Sequence, residues 1–204
     1  MISDKKVQKL PWHDLQQFNE IKKEIYKDDE WGFHLSEKEF IQCMSLITAQ
    51  SYGIRIQNYI RNRLKWNKVA AEDELGDIMK PLDPGLGAHG KFVEVKSSLL
   101  TLTNNILNMV QIRLFHDIDY YLGVAYDLRD PSNFESFKFL LTHDQMVEEC
   151  KNANAAHGTK SVNESNEKVE KALRISCNEG NPKFERWKKM YRVDSYEGIE
   201  KSVL

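Results

Sequence analysis

Lys91-Phe92-Val93-Glu94-Val95-Lys96-Ser97-Ser98 decides how this chain is read. Its alternation is that of a half-buried strand, with Val93 and Val95 pointing one way and Phe92, Glu94 and Lys96 the other, so a carboxylate and an ammonium share one face. Upstream, Glu74-Leu75-Gly76-Asp77-Ile78 places an acid 17 residues before Glu94, at the start of another short extended segment. The Pro81-to-Gly90 turn lets the two strands pair as a hairpin. Asp77, Glu94 and Lys96 then converge where one phosphate could sit.

The tripeptide alone is not distinctive, because Asp4-Lys5-Lys6, Glu20-Ile21-Lys22 and Glu149-Cys150-Lys151 also spell acid-x-Lys. Only Glu94-Val95-Lys96 lies in a strand-like run with an acid at hairpin distance before it. Two competing motifs in the same stretch fail. Gly85-Leu86-Gly87-Ala88-His89-Gly90 spells G-x-G-x-x-G, but a dinucleotide site needs a strand before it and a helix after it. Here Asp83-Pro84 precedes and a strand follows, which reads as a glycine-rich turn. His89-Gly90-Lys91 has the phospholipase-D-type H-x-K form, but the acid that motif needs five residues later would fall on Lys96.

An acid opening one strand of a hairpin and acid-x-Lys on the next resembles the PD-(D/E)XK nucleases, and within them the type II restriction endonucleases. Gly76 stands where that pattern has proline. The resemblance implies an α/β (α+β) fold with a restriction-endonuclease-like central mixed β-sheet flanked by helices. It implies one domain over residues 1–204, with a helical part (1–70), a catalytic sheet core (71–142), and a polar loop and basic C-terminal helix (143–204). It also implies a catalytic set of Asp77, Glu94 and Lys96, with Mg²⁺, or Mn²⁺ in its place, on the Asp77 and Glu94 carboxylates and the Val95 carbonyl. The residues agree with the metal, since hard carboxylate oxygens without a His/Cys set favour magnesium over zinc. In such a site the metal-bound water attacks phosphorus and Lys96 orients or deprotonates it, leaving 5′-phosphate and 3′-hydroxyl ends. Glu74, three residues before Asp77, is a further acid placed to reach a second metal or a bound water. Cutting both strands of a DNA duplex needs two sites, hence a homodimer. Two alternatives stay open: a repair or phage-defence nuclease of the same superfamily without a fixed recognition sequence, and a DNA-binding protein of the same fold without catalysis.

A chain of 204 residues with 41% hydrophobic content can bury one sizeable core, and its net charge of −2 excludes a generic polyanion binder. Contacts to nucleic acid must come from local patches. Residues 51–70 carry Arg55, Arg61, Arg63, Lys65 and Lys68 with no acid, and residues 183–192 carry Lys183, Arg186, Lys188, Lys189 and Arg192 against Glu185. Cys43, Cys150 and Cys177 are widely spaced, which points to neither a disulfide framework nor a zinc knuckle. With no apolar run of signal-peptide or membrane-span length, a cytoplasmic protein without membrane contact is expected.

Along the chain, helical spacing predicts a helix over 12–29, and Ser36 with Glu39 forms a capping box opening a second. Its apolar stripe resumes after Gly53 through Ile56, Tyr59, Ile60 and Leu64, predicting a helix bent near Gly53 or two helices in sequence. Residues 108–114 read as a strand with Met109, Gln111 and Arg113 on one side, and Tyr120–Tyr126 as a central strand covered on both faces. Phe137–Leu141 is a further strand, Thr142 caps a helix through Gln145, and Ala172–Ile175 returns to the sheet. Residues 183–192 form a basic helix anchored by Phe184, Trp187 and Tyr191.

For DNA binding, Arg55, Arg61 and Arg63 are candidates to hold the backbone. Gln111 and Arg113 are further contacts, since restriction-enzyme-like sequences often carry Gln-x-Arg after the second catalytic strand. The polar loop over 152–166 offers His157, Thr159, Lys160 and Asn163, whose donors and acceptors suit base edges.

Overall fold

The computed structural model describes residues 12–70, 74–82, 90–130, 132–153 and 169–204. The run that alternates in sequence is β3 (Lys91–Leu100), with β2 (Ile78–Lys80) antiparallel on one side and β5 (Tyr120–Asp127) parallel on the other. Adding β1 (Asn67–Lys68), β6 (Glu135–Thr142) and β8 (Arg192–Val193) gives a six-stranded sheet in the order β1-β2-β3-β5-β6-β8. Every pairing except β3–β5 is antiparallel. The molecule is therefore mixed α/β, with a mostly antiparallel sheet flanked by helices. β5 is buried from Tyr121 to Asp127, as its lack of polar alternation requires.

Two parallel neighbours need a crossover, and here it is β4 (Ile106–Ile112). β4 does not join the sheet; it pairs antiparallel with β7 (Lys171–Ser176) as a separate ribbon over one face. The expectation that Ala172–Ile175 returns to the sheet is therefore corrected. Leu173 and Ile175 bury against the sheet face from above, a packing demand that an alternating strand meets equally well in either place.

Period-two alternation divides the core in two. Val93, Val95, Leu122 and Val124 face α1 (Trp12–Lys27), α2 (Glu37–Met44), α3 (Ala49–Leu64) and α6 (Tyr196–Ser202), through Ile25, Phe40, Ile56, Tyr59 and Ile199. Tyr121, Phe139 and Leu141 face the β4–β7 ribbon, α4 (His143–Ala153) and α5 (Pro182–Met190), through Met109, Leu173, Phe184 and Trp187. Trp187 is fully buried, with its ring edge-on to Phe139 at 5.5 Å.

Local signals set the helix starts. The Ser36 N–H donates to Glu39 Oε2 at 3.0 Å while the Glu39 N–H donates to Ser36 Oγ at 3.4 Å. Thr142 and Gln145 make the same reciprocal pair at 2.9 and 3.3 Å before α4. Two helices stand where a bend near Gly53 was one expectation, but the break falls at Ser45–Thr48, and Gly53 lies inside α3. The left-handed stop of α3 is Lys65, at φ 56°. α6 ties down the hairpin: Lys80 Nζ donates to the Glu200 and Val203 carbonyls at 2.6 and 2.8 Å, and Trp66 Nε1 donates to the Glu200 carboxylate.

Candidate active site

Gly76 is the first element of the site. Its φ is +94°, and a Cβ there would meet the Val93 carbonyl at 3.2 Å, so the close approach of this turn to β3 demands glycine. Proline, with φ fixed near −65°, could not take that backbone, which accounts for the departure from the resembling pattern. Asp77 follows with its backbone held on both sides: its N–H donates to the Val93 carbonyl at 3.1 Å, and its carbonyl accepts from the Val69 N–H at 3.2 Å. Its side chain then acts as a strand neighbour for β3, Oδ2 accepting the Val95 N–H at 2.7 Å.

The i, i+2 spacing in β3 sets Glu94 and Lys96 on one face, and Lys96 Nζ lies 2.6 Å from Glu94 Oε1. Both are more buried than an exposed hairpin face would leave them, with side chains 11% and 19% exposed. Burial pushes the Asp77 carboxyl up to about 7, the Glu94 carboxylate adds to this, and Lys96 opposes it. Two carboxylates that repel each other in a partly dry site make a place where cationic charge is stabilising. Asp77 also has a structural part to play, since it is neither solvent-facing nor free of the fold.

The group opens into a cleft of about 450 Å³. Ala49, Gly53 and Gln57 of α3 form one wall, Asn108, Val110 and Gln111 of β4 the other, and Asp77, Val95, Lys96 and Ser97 the floor. The cleft exists because β2 pairs β3 only over Lys91–Val93, leaving the β3 edge open from Val95 onward. Val95 turns its carbonyl to that same edge. The Asn108 N–H on Ser98 Oγ, at 2.9 Å, stitches β4 to the floor. A larger depression of about 560 Å³, around Phe115, His116, Asp117 and His143, holds carboxylates too. There, however, Asp119 is engaged by the Phe92 N–H and Lys91 Nζ, and His143 Nδ1 by the Ile118 carbonyl.

The other sequence candidates distribute as follows. Arg113 lies at the end of the ribbon, half-exposed, its Nε 2.9 Å from Glu170 Oε1, close enough for its charge to act on Asp77. Met109, Gln111 and Arg113 do not share one side: Met109 is buried and Gln111 exposed, because β4 carries an irregularity between Met109 and Ile112. Glu74 is exposed and lines neither wall; its carbonyl accepts the Asp117 N–H at 3.0 Å. Arg55, Arg61 and Arg63 line no wall of the cleft, and each is engaged by groups of the helical layer. Arg55 is buried, donating to the Ile25 and Ser51 carbonyls at 2.8 and 3.0 Å and pairing with Asp29 at 2.8 Å. Arg61 pairs with Glu30 at 2.7 Å, and Arg63 donates to the Tyr59 hydroxyl and the Leu35 carbonyl. In the C-terminal basic run, Arg186 pairs with Glu149, Lys188 with Glu185 and Arg192 with Asp194. His157, Thr159, Lys160 and Asn163 lie outside the described residues. Gln50, Asn108 and Ser97 line the cleft without having been expected there; the Ala49, Gly53, Gln57 spacing on α3, small or polar residues at four-residue steps, was the available sign of a face turned from the core.

Among the described residues no group of three His, Cys, Asp or Glu is placed to hold a metal ion. The donors present still suit a hard divalent cation of the kind that binds one or two carboxylates and completes its shell with water and phosphate oxygens: Asp77, Glu94 and the Val95 carbonyl. No described helix is long and apolar enough to cross a membrane. Comparison of the chain with protein-family models, with curated proteins and with solved structures gave no match.

Proposed function

We propose that this protein is a Mg²⁺-dependent endonuclease of double-stranded DNA with a restriction-endonuclease-like fold, acting as a homodimer at a defined sequence. The observation that carries the reading is the joining of Asp77, Glu94 and Lys96 on one hairpin, with Asp77 and Lys96 at the floor of a cleft and Glu94 held against Lys96, through the 2.7 Å bond from Val95 to Asp77 and the 2.6 Å pair of Lys96 with Glu94. The strand-and-acid pattern that resembles the PD-(D/E)XK nucleases thus coincides with a real three-dimensional cluster.

Asp77, Glu94 and the Val95 carbonyl would hold the cation. Bound there, Mg²⁺ supplies charge that acidifies a water molecule and offsets the charge building on a phosphate. Lys96 Nζ is held at the floor as a donor, so it binds a phosphate oxygen and stabilises the charge that develops there in the transition state. Its partner Glu94 keeps it oriented before substrate enters. The α3 and β4 walls confine the reacting group and position it against Lys96. The hydrolysis leaves 5′-phosphate and 3′-hydroxyl ends.

Incubating supercoiled plasmid with the protein tests this directly. Mg²⁺ should give linear products whose sequenced ends share a common site, EDTA should abolish cutting, and Ca²⁺, with its looser geometry and weaker acidification of water, should permit binding without cutting. Random ends would make it a nuclease without a fixed recognition sequence. Full activity in EDTA, or no cutting of any DNA in Mg²⁺, would overturn the mechanism.

A further inference from the structure

We infer that Gln111 and Gln57 form a pair of amides, one on each wall of the cleft, that read the edge of a nucleobase, adenine by preference, next to the phosphate held at Lys96. This rests on the nuclease reading above.

The β4–β7 ladder is irregular near its end. Met109 pairs with Leu173, and the next pair is Ile112 with Lys171, three steps on one strand against two on the other. One extra residue is therefore present, a β-bulge. Gln111 carries it, at φ 54°. Among the described residues only Lys65 is another non-glycine at positive φ, and Lys65 has a plain reason, the left-handed C-cap of α3. Gln111 ends no helix. Glycine would take that backbone without strain, yet glutamine stands there.

The effect of the bulge is a change of phase. Leu107 and Met109 are buried, so strict alternation would bury position 111 as well. Instead Ile112 is fully buried and Gln111 is exposed, on the wall of the cleft that holds Asp77, Val95 and Lys96. Strained backbone that re-aims one side chain into a reactive cleft is what function, rather than packing, requires. Facing it, Gln57 sits one turn beyond Gly53, where a Cβ would meet nothing within 4 Å, so the space between the walls is open. Neither amide is hydrogen-bonded to another described residue.

The chemistry selects the ligand. Among the described residues Lys96 is the one cationic side chain lining the cleft, and it is paired with Glu94. A carboxamide is a poorer phosphate ligand than a charged group. It does offer a donor and an acceptor side by side, which matches adenine N6 and N7 in the major groove.

Gln111→Gly is the decisive variant, because glycine takes the φ 54° backbone without strain and removes the side chain that carries the amide. The expected result is a KM for duplex DNA raised about tenfold to a hundredfold with kcat little changed, and relaxed choice at one base pair in the sequenced ends. Its melting temperature should match or exceed the parent's by about 2 °C, since the strain is relieved. Gln57→Ala, on a helix face where alanine is well tolerated, should raise KM likewise. Replacing the cognate adenine by 7-deazaadenine should cost the parent enzyme as much as Gln111→Gly does, and cost that variant nothing further. A Gln111→Gly enzyme with a lowered melting temperature but unchanged KM and ends would make the bulge structural and overturn the inference. A raised KM with unchanged end sequences would move the amides to the sugar-phosphate chain and overturn base reading. A parent that cuts DNA while both variants match it removes only this inference; a parent that cuts none removes the nuclease reading as well.

Discussion

Glu94-Val95-Lys96 and Glu149-Cys150-Lys151 are the same pattern in two kinds of backbone. On β3 the i, i+2 spacing brings the lysine onto its glutamate, 2.6 Å away and facing a cleft. On α4 the same spacing turns the two side chains about 200° apart. Lys151 is accordingly 69% exposed, 3.9 Å from Glu148, while Glu149 is buried and fully occupied, accepting from Arg186 at 2.6 Å, Tyr191 at 2.9 Å and Trp187 at 3.1 Å. A buried carboxylate saturated by donors stabilises structure. One that shares a dry edge with another acid and a single lysine has bonding capacity left for a ligand.

Four measurements break or sharpen this contrast. The largest effect belongs to Lys96→Ala and Asp77→Asn, which should each lower the cleavage rate by about 10³-fold or more with the fold preserved, the asparagine oxygen still accepting from Val95. Near-parental cutting by either, in a plasmid assay with Mg²⁺, would show that the strand triplet is as inert as the helical one. Next is Glu149→Leu, which strands the Trp187 N–H and the Tyr191 hydroxyl in the core and should cost about 2–4 kcal/mol in urea unfolding, while cleavage per folded molecule is unchanged. A loss below about 1 kcal/mol would deny Glu149 its structural role.

A third test uses pH. Burial works against the Glu149 carboxylate, but the bonds from Arg186, Tyr191 and Trp187 outweigh it and hold the carboxyl below its usual range. A depressed folded value means stability that is complete above the unfolded value of about 4.3 and lost as pH falls through the folded one. The stability gap between the parent and Glu149→Gln should therefore hold steady above the unfolded value of about 4.3 and narrow as pH falls below it; a gap that stays constant would mean the charge does not matter. The smallest effect is Lys151→Ala, expected within about 0.5 kcal/mol and with no change in cutting, as for an exposed pair. Any loss of cleavage there would show that the helical triplet shares in the site.

What could be read from residues alone was the local part. β3, β5, the capping pairs at Ser36 and Thr142, and the hairpin that brings Asp77 to Glu94 follow from periodicity and short-range hydrogen bonding. The expectations that failed needed tertiary information. Arg55, Arg61 and Arg63 look like a basic stripe, yet each has a partner 28–31 residues away in the chain, the Ile25 and Leu35 carbonyls among them, groups every residue carries and no pattern marks. The break at Ser45–Thr48 was masked because Gly53 is the stronger helix breaker by propensity, and α3 overrides it through packing on either side. The ribbon and the Gln111 bulge depend on which strand β4 meets, and alternation is silent on that choice. α6 is seven residues long, with Ile199 fully buried, too short for a helical period to show.

α6 also bears on how the protein comes into being. Lys80, three residues beyond Asp77, is gripped by carbonyls 120 and 123 residues further along, and Trp66 by a carboxylate 134 residues further. During synthesis at about 5–20 residues per second, the Asp77 strand therefore waits for those further residues, on the order of ten seconds, before its anchor exists. The nascent protein passes through a stage in which the sheet centre can form but the hairpin is unlatched, so the cleft is completed after the sheet centre.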